Sequence, residues 1–169
     1  MRVLARILSV ASALIFWAAC SQPPSTEAAP AAGPLQGVWS VVTVEPSDGP
    51  AADPAQPGLY IFGEEYYSAV YAPGAEPRTK SAVSFTPTPD EMIAQYQSII
   101  VNSGTYELQG AAFTLRPIIA KSPGFVGGHL AGTFSLSGDT LVLRHEHLFD
   151  RDGVELVDFG EVLTLVRLE

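Results

Sequence analysis

The chain is poor in cysteine and in positive charge. Its 169 residues include one cysteine, Cys20, and 9 basic residues stand against 18 acidic ones. A single cysteine cannot form an intrachain disulfide, so the core must hold without one. The net charge of −9 repels phosphate backbones, and no basic cluster offsets that repulsion. The composition therefore excludes nucleic acid as a partner.

The N-terminal apolar run is too short to cross a bilayer as a helix. Residues 7–19 form a stretch of 13 residues, whereas a membrane-spanning helix needs about 20. Arg2 and Arg6 precede the stretch and small residues end it, which is the pattern of a secretion signal. Removal of residues 1–19 leaves 7 basic and 18 acidic residues, a net charge of −11.

The end of this signal, Ala18-Ala19-Cys20, resembles the lipobox of bacterial lipoproteins. The resemblance implies a signal peptide over residues 1–19 and a lipid anchor, palmitate among its acyl chains, on Cys20 as the mature N-terminus. Ser21 then implies delivery to the outer membrane, with the protein facing the periplasm. The alternative is a plain secretion signal that is cut after an Ala-x-Ala-like site.

Two regions of different composition follow the cysteine. Residues 20–34 contain four prolines and no large apolar side chain, so they bury too little surface to offset the entropy of ordering. We predict a lipid-anchored, disordered linker there. Residues 35–169 are 135 residues long, enough for one domain with an ordinary core.

Short runs of β-branched and aromatic residues, separated by turn-forming residues, fill most of this domain. They predict eight strands, at residues 37–45, 58–62, 66–71, 104–108, 111–119, 129–136, 139–147 and 161–167. A helix is predicted to start at Thr88, which is followed by proline and, three residues on, by glutamate. Apolar residues continue at helical spacing as far as Ile100. The pattern indicates an antiparallel barrel or sandwich with one helix.

Five segments of the domain resemble, in the same order, the bacterial and fungal lipocalin-like domain family. They are residues 35–39 (LQGVW), 58–62 (GLYIF), 88–91 (TPDE), 103–107 (SGTYE) and 138–143 (GDTLVL). The resemblance implies an all-β, eight-stranded antiparallel up-and-down lipocalin-like barrel over residues 35–169, with one helix inserted between strands three and four.

The same resemblance implies a contact at the closed end of the barrel. In lipocalins an arginine of the last strand covers a tryptophan of the first, and Arg167 and Trp39 occupy these places here. We predict a cation–π contact between them as a structural feature. The alternative is an arginine in solvent near the C-terminus.

Side chains alternate between the two faces of a strand, and this alternation predicts which of them face the barrel lumen. Pairing across the turn at Ser137-Gly138 places His145 and His147 on the inner face near the open mouth. The turn at Gln109-Gly110 likewise places Tyr106 and Phe113 inward. These four residues are the predicted ligand contacts. Rim histidines in water, and aromatic rings that only pack the core, are the alternatives.

The histidines also suggest a zinc site, because His145 and His147 lie two residues apart on one strand. A third ligand is needed, and His129 on the neighbouring strand is the candidate. The register that unites the three histidines scatters the apolar residues of both strands over both faces, so we predict no metal site. The sequence has no nucleophile elbow and no phosphate-binding loop, and it predicts no catalytic residue and no cofactor.

Three functions agree with these observations. The favoured one is a membrane-anchored lipocalin-like protein that binds a small hydrophobic molecule in the barrel lumen. The second is an enzyme of the isomerase or cyclase type that uses His145 or His147 as an acid or base. The third is a structural envelope lipoprotein with a filled barrel and no ligand. The volume left open inside the barrel separates the first from the third.

Overall fold

The computed structural model describes residues 33–156 and 158–169. The predicted signal peptide at residues 1–19, the lipid attachment at Cys20 and nearly all of the linker at residues 20–34 lie outside the described residues. These three features stay predictions from the sequence.

The described chain forms eight β-strands and one α-helix. The strands are β1 (Gly37–Pro46), β2 (Leu59–Phe62), β3 (Tyr66–Tyr71), β4 (Ile100–Gln109), β5 (Ala112–Ala120), β6 (His129–Ser137), β7 (Thr140–Phe149) and β8 (Glu161–Arg167). The helix, α1 (Pro89–Gln97), lies between β3 and β4, and a short 3₁₀ helix (Pro123–Phe125) connects β5 to β6.

The strands close into a barrel. Each one pairs antiparallel with the next in sequence, and β8 pairs back onto β1. Trp39 lies opposite Arg167 where these two strands meet, and Val44 lies opposite Leu163. The prediction of an all-β, eight-stranded antiparallel barrel with one helix is confirmed, and the helix follows β3 and precedes β4 in the sequence.

The helix begins where the sequence predicts and ends earlier. The Thr88 hydroxyl accepts a hydrogen bond from the Glu91 amide, and the Glu91 carboxylate accepts one from the Thr88 amide, so the capping box is complete. The predicted continuation to Ile100 is wrong, because Ile100 pairs with Tyr71 as the first residue of β4. Within the described ranges, no helix combines the length and apolar character needed to span a membrane.

A β-bulge in β7 changes which of its side chains face inward. Ala131 pairs with His147 while the next residue, Gly132, pairs with His145, so Glu146 is an extra residue in β7. A side chain at Gly132 would collide with the carbonyl oxygen of Arg144, which explains the glycine opposite the bulge. Beyond the bulge, the inward and outward positions of β7 exchange.

The closed end of the barrel is where β1 begins and β8 ends. The Trp39 indole donates a hydrogen bond from Nε1 to the Leu35 carbonyl at 2.7 Å, and the Arg167 guanidinium lies over the indole ring. Gly37 precedes them with a φ of +136°, and a Cβ there would collide with the backbone oxygen of Glu169. Glycine is therefore required at Gly37 both for its backbone conformation and for the close approach of the C-terminal backbone.

Candidate functional site

The open half of the barrel contains a cavity of about 140 Å³. Most of its wall is apolar and includes Ile100, Leu115, Phe125, Leu130, Leu148 and Phe159. The polar residues on the wall include Tyr60, Tyr71, Asn102, His145 and Glu161. Pockets for drug-sized ligands measure roughly 300–1,000 Å³, whereas an apolar cavity of about 150 Å³ is known to hold benzene. The space therefore fits a single six-membered ring.

Glu161 is the centre of the polar side of this cavity. It begins β8 and shares its face with the buried Leu163 and Leu165. Its Oε1 accepts a hydrogen bond from Nδ1 of His145 at 2.8 Å and another from the hydroxyl of Tyr71. The side chains of His145 and Glu161 are 1% and 12% exposed. An ionisable pair is thus held almost entirely inside the barrel.

The protonation of this cluster follows from its contacts. Burial acts to raise the pKa of Glu161, but the hydrogen bond and charge of His145 and the hydrogen bond of Tyr71 outweigh burial, and the net pKa is lowered. Burial raises the pKa of Tyr60 and Tyr71 well above 10, and the nearby Glu161 charge adds to both effects. At neutral pH the glutamate is therefore a carboxylate and both phenols keep their protons.

The free edge of the imidazole faces other side chains of the lumen. Nε2 of His145 lies 3.4 Å from the Tyr60 hydroxyl, a long distance for a hydrogen bond. The Phe113 ring meets the imidazole edge-on, with ring centroids 5.8 Å apart. Since Nδ1 is fixed by Glu161, Nε2 is the nitrogen that remains able to exchange a proton with a molecule in the cavity. A carboxylate that orients an imidazole in this way is a common general acid–base arrangement.

Asn102 brings a second polar group to the cavity from β4. The residue is 9% exposed, and its amide is not among the fully buried, unpartnered side-chain groups of the described residues. Its polar atoms thus reach the open space of the cavity. The amide therefore offers one acceptor oxygen and two donor hydrogens to whatever occupies the cavity.

The prediction that His147 faces inward is wrong. Its side chain is 59% exposed, and Nδ1 lies 2.7 Å from a carboxylate oxygen of Glu155 on the outer surface. The extra residue Glu146 reverses the parity of the strand after His145, so the two histidines point to opposite sides of the barrel wall. His145 alone lines the cavity.

The two predicted aromatic contacts lie on the inner side but not on the cavity wall. Phe113 is 2% exposed and packs on His145 from behind. Tyr106 is half-buried nearer the closed end, where its ring meets Phe62 edge-on at 5.1 Å and its hydroxyl donates to the Gly63 carbonyl at 2.8 Å. Phe113 thus contacts a residue of the cavity wall, whereas the contacts of Tyr106 lie outside it.

His129 and His147 both lie on the outer face of the barrel. The His129 ring stacks on Phe149 with centroids 4.5 Å apart, and His147 lies 6.5 Å from the same ring. His145 is on the inner side, so the three histidines do not converge. Over residues 33–156 and 158–169 there is no group of three or more histidine, cysteine, aspartate or glutamate side chains that could hold a metal ion.

The mouth of the cavity adjoins a second apolar space. A cleft of about 320 Å³ lies between the β5–β6 and β7–β8 connections, and Ser122, Phe125 and Leu148 border both the cleft and the cavity. The side chains of Phe125 and Leu148 thus lie where a ligand would pass between the lumen and the surface.

The sequence analysis did not single out Glu161, Asn102 or Tyr71. The period of two in β8 carried a signal for the first, because Leu163 and Leu165 fix the face on which Glu161 lies. Asn102 similarly shares the parity of Tyr106 along β4. Glu161 lies directly opposite His145 in the pairing of β7 with β8, but the connection between these strands is too long to fix that register from the sequence. Asn102 on β4 joins the two residues only through closure of the barrel.

Comparison with known proteins identifies no family for this chain. No protein-family model matches the chain, and no curated protein matches it.

Proposed function

We propose that this protein is a lipocalin-like bacterial lipoprotein, anchored in the outer membrane through Cys20 and facing the periplasm, that binds a small hydrophobic molecule in its barrel lumen. The observation that carries the proposal is the cavity of about 140 Å³, whose wall is mostly apolar. A lumen packed solid by its own side chains would leave no space for a ligand. The closed eight-stranded barrel is compatible with a lipocalin-like binding fold.

The anchor is tested by the mass of the mature chain. The full chain is expressed in a bacterium that processes lipoproteins, and its N-terminal peptide is analysed by mass spectrometry. We expect loss of residues 1–19 and acyl chains on Cys20, because two or more chains are needed for stable membrane attachment. The Cys20→Ser variant should leave the membrane fraction. An unmodified thiol at Cys20 in the mature chain would contradict the anchor.

The lumen is tested with toluene, a probe of the size of the cavity. The full chain carries Cys20→Ser, which removes the acylation site and keeps lipid and detergent out of the sample. We expect toluene to shift the NMR signals of Leu115 and Leu130, which line the cavity.

A filled cavity provides the matched control. Ala120 lies on the cavity wall, and Ala120→Leu places three further carbon atoms in the space. Toluene binding should be lost while circular dichroism still reports the β-barrel. If that variant does not fold, Leu130→Phe fills the same space from β6. Binding to the filled variants, or no binding to the parent chain, would contradict a lumen ligand. The second outcome would favour a structural envelope protein.

An enzyme is the second candidate function, and one observation favours it. The Glu161 carboxylate holds Nδ1 of His145 at 2.8 Å, and Nε2 has only a long contact of 3.4 Å to the Tyr60 hydroxyl, so this nitrogen is available for proton transfer inside a mostly apolar space. An isomerase or cyclase would use this nitrogen as its acid or base. Such an activity should fall at least a hundredfold in His145→Gln and stay unchanged in His147→Gln, whose side chain lies outside the barrel. Equal activity in the two variants would exclude this role.

A further inference from the structure

The cavity limits the ligand by its size. About 140 Å³ is close to the volume of apolar cavities that hold benzene, and far below that of pockets for larger ligands. A whole fatty acyl chain or a fused ring system has no room within this cavity. The ligand portion that enters the barrel is therefore one ring or a chain of similar volume.

A buried amide limits the ligand by its hydrogen bonding. Asn102 lies on the cavity wall, is 9% exposed and is not among the fully buried, unpartnered groups of the described residues, so its amide is accessible from the cavity. A ligand that covers the amide without bonding to it costs free energy, because the amide then loses its hydrogen bonds to water. A purely hydrocarbon ligand would incur that cost. A ligand with one hydroxyl or amide group would avoid it.

The negative charge of the cavity wall also limits the charge that a ligand can carry. Glu161 is a carboxylate within the same lining, and its Oε1 already accepts hydrogen bonds from His145 and Tyr71. An anionic ligand would lie beside a buried negative charge of the same sign, which is repulsive in a medium of low dielectric constant. A cationic ligand would have to give up its hydration, while the carboxylate it meets is already paired.

We propose that the lumen selects an uncharged, single-ring molecule with one hydroxyl or amide group, which hydrogen-bonds to Asn102. This inference rests on the proposed lumen-binding function and names the class of its ligand. Simple phenols are the representative members of this class. Fatty acids, which both size and charge disfavour, are outside it.

The test compares four single-ring probes of similar size: toluene, phenol, benzoate and benzylamine. Each is titrated by NMR at pH 7 into the full chain carrying Cys20→Ser, and then into the same chain with Asn102→Leu. Leucine has the branched shape of asparagine with methyl groups in place of the amide atoms, so the variant removes the amide without enlarging the cavity. Leucine is the larger side chain, and the ratio of two probe affinities is compared because both probes lose the same space. Ser103→Ala is the matched control, because Ser103 is the next residue and its hydroxyl bonds to Ser68 on the outer face.

We expect the ratio of phenol affinity to toluene affinity to fall about tenfold in Asn102→Leu and to stay unchanged in Ser103→Ala. The side-chain amide signal of Asn102 should shift with phenol and not with toluene. Benzoate and benzylamine should each bind at least about tenfold more weakly than phenol.

The outcomes separate this inference from the proposed function. If toluene and phenol bind and their ratio is the same in all three chains, the lumen binds ligands but Asn102 does not select them. If benzoate or benzylamine binds most tightly, the lumen selects a charge and the inference is wrong. If no probe binds the parent chain, the lumen-binding function itself fails.

Discussion

The guanidinium carbon of Arg167 lies 4.0 Å from the centroid of the Trp39 ring, so the last strand covers the first at the closed end of the barrel. Nη1 of the same arginine donates a hydrogen bond to the Gln36 carbonyl at 2.7 Å. Its ion pair with Asp139 is 3.7 Å long and the aspartate is 80% exposed, so that pair adds little. The arginine thus stabilises barrel closure mainly through the indole ring and one backbone carbonyl.

We expect Arg167→Ala to lower the free energy of unfolding by about 1–3 kcal/mol, since it removes a partly buried cation–π contact and a charge-assisted hydrogen bond. Urea unfolding monitored by tryptophan fluorescence measures the change. Arg144→Ala is the control, because Arg144 is exposed on β7 and should change stability by no more than about 0.5 kcal/mol. Equal losses in the two variants would mean that the Trp39 contact contributes nothing of its own.

Local signals predicted most of the barrel. Alternating apolar residues gave the strands, and the capping box at Thr88 gave the start of the helix, because both features act over a few neighbouring residues. The parity argument then placed His145 and Phe113 correctly inside. It failed for His147 because one extra residue, Glu146, reverses the alternation, and no local pattern distinguishes a bulged strand from a regular one.

The site itself lay beyond the reach of sequence patterns. Glu161 and Asn102 belong to strands that do not pair with each other, and only closure of the barrel brings both to one cavity. The volume of that cavity depends on how completely the side chains of all eight strands fill the interior. The cavity volume cannot be predicted from residue types alone, because a change of one methyl group at one position of the wall alters it.

The contacts of Glu161 predict a specific dependence of stability on pH. Its pKa in the folded barrel lies below the ordinary value of 4.5, so the folded state holds its proton less tightly than the unfolded chain. The resulting stabilisation is fully present above about pH 5 and is lost as the pH falls through the folded-state pKa. We expect stability to fall more steeply with acid in the parent chain than in Glu161→Gln, as measured by urea unfolding between pH 6 and 3.

The control for this pH dependence is Glu146→Gln. Glu146 is an exposed carboxylate on β7, so its removal should leave the acid limb of the stability curve parallel to that of the parent chain. A Glu161→Gln curve that also runs parallel to the parent would contradict the buried hydrogen bond between Glu161 and His145. It would place the carboxylate in solvent instead.

Tyr67 and Tyr71 test the difference between an unpaired and a paired buried phenol. Both are nearly fully buried on β3, but within the described residues the Tyr67 hydroxyl has no partner, whereas the Tyr71 hydroxyl donates to Glu161. Removing an unpaired buried hydroxyl costs nothing, so Tyr67→Phe should leave stability unchanged or raise it by up to about 1 kcal/mol. Tyr71→Phe should lower stability by about 1.5–3 kcal/mol, because it deletes a hydrogen bond to a carboxylate. Urea unfolding at pH 7 compares the two, and a similar loss in both would show that the Tyr67 hydroxyl has a partner after all.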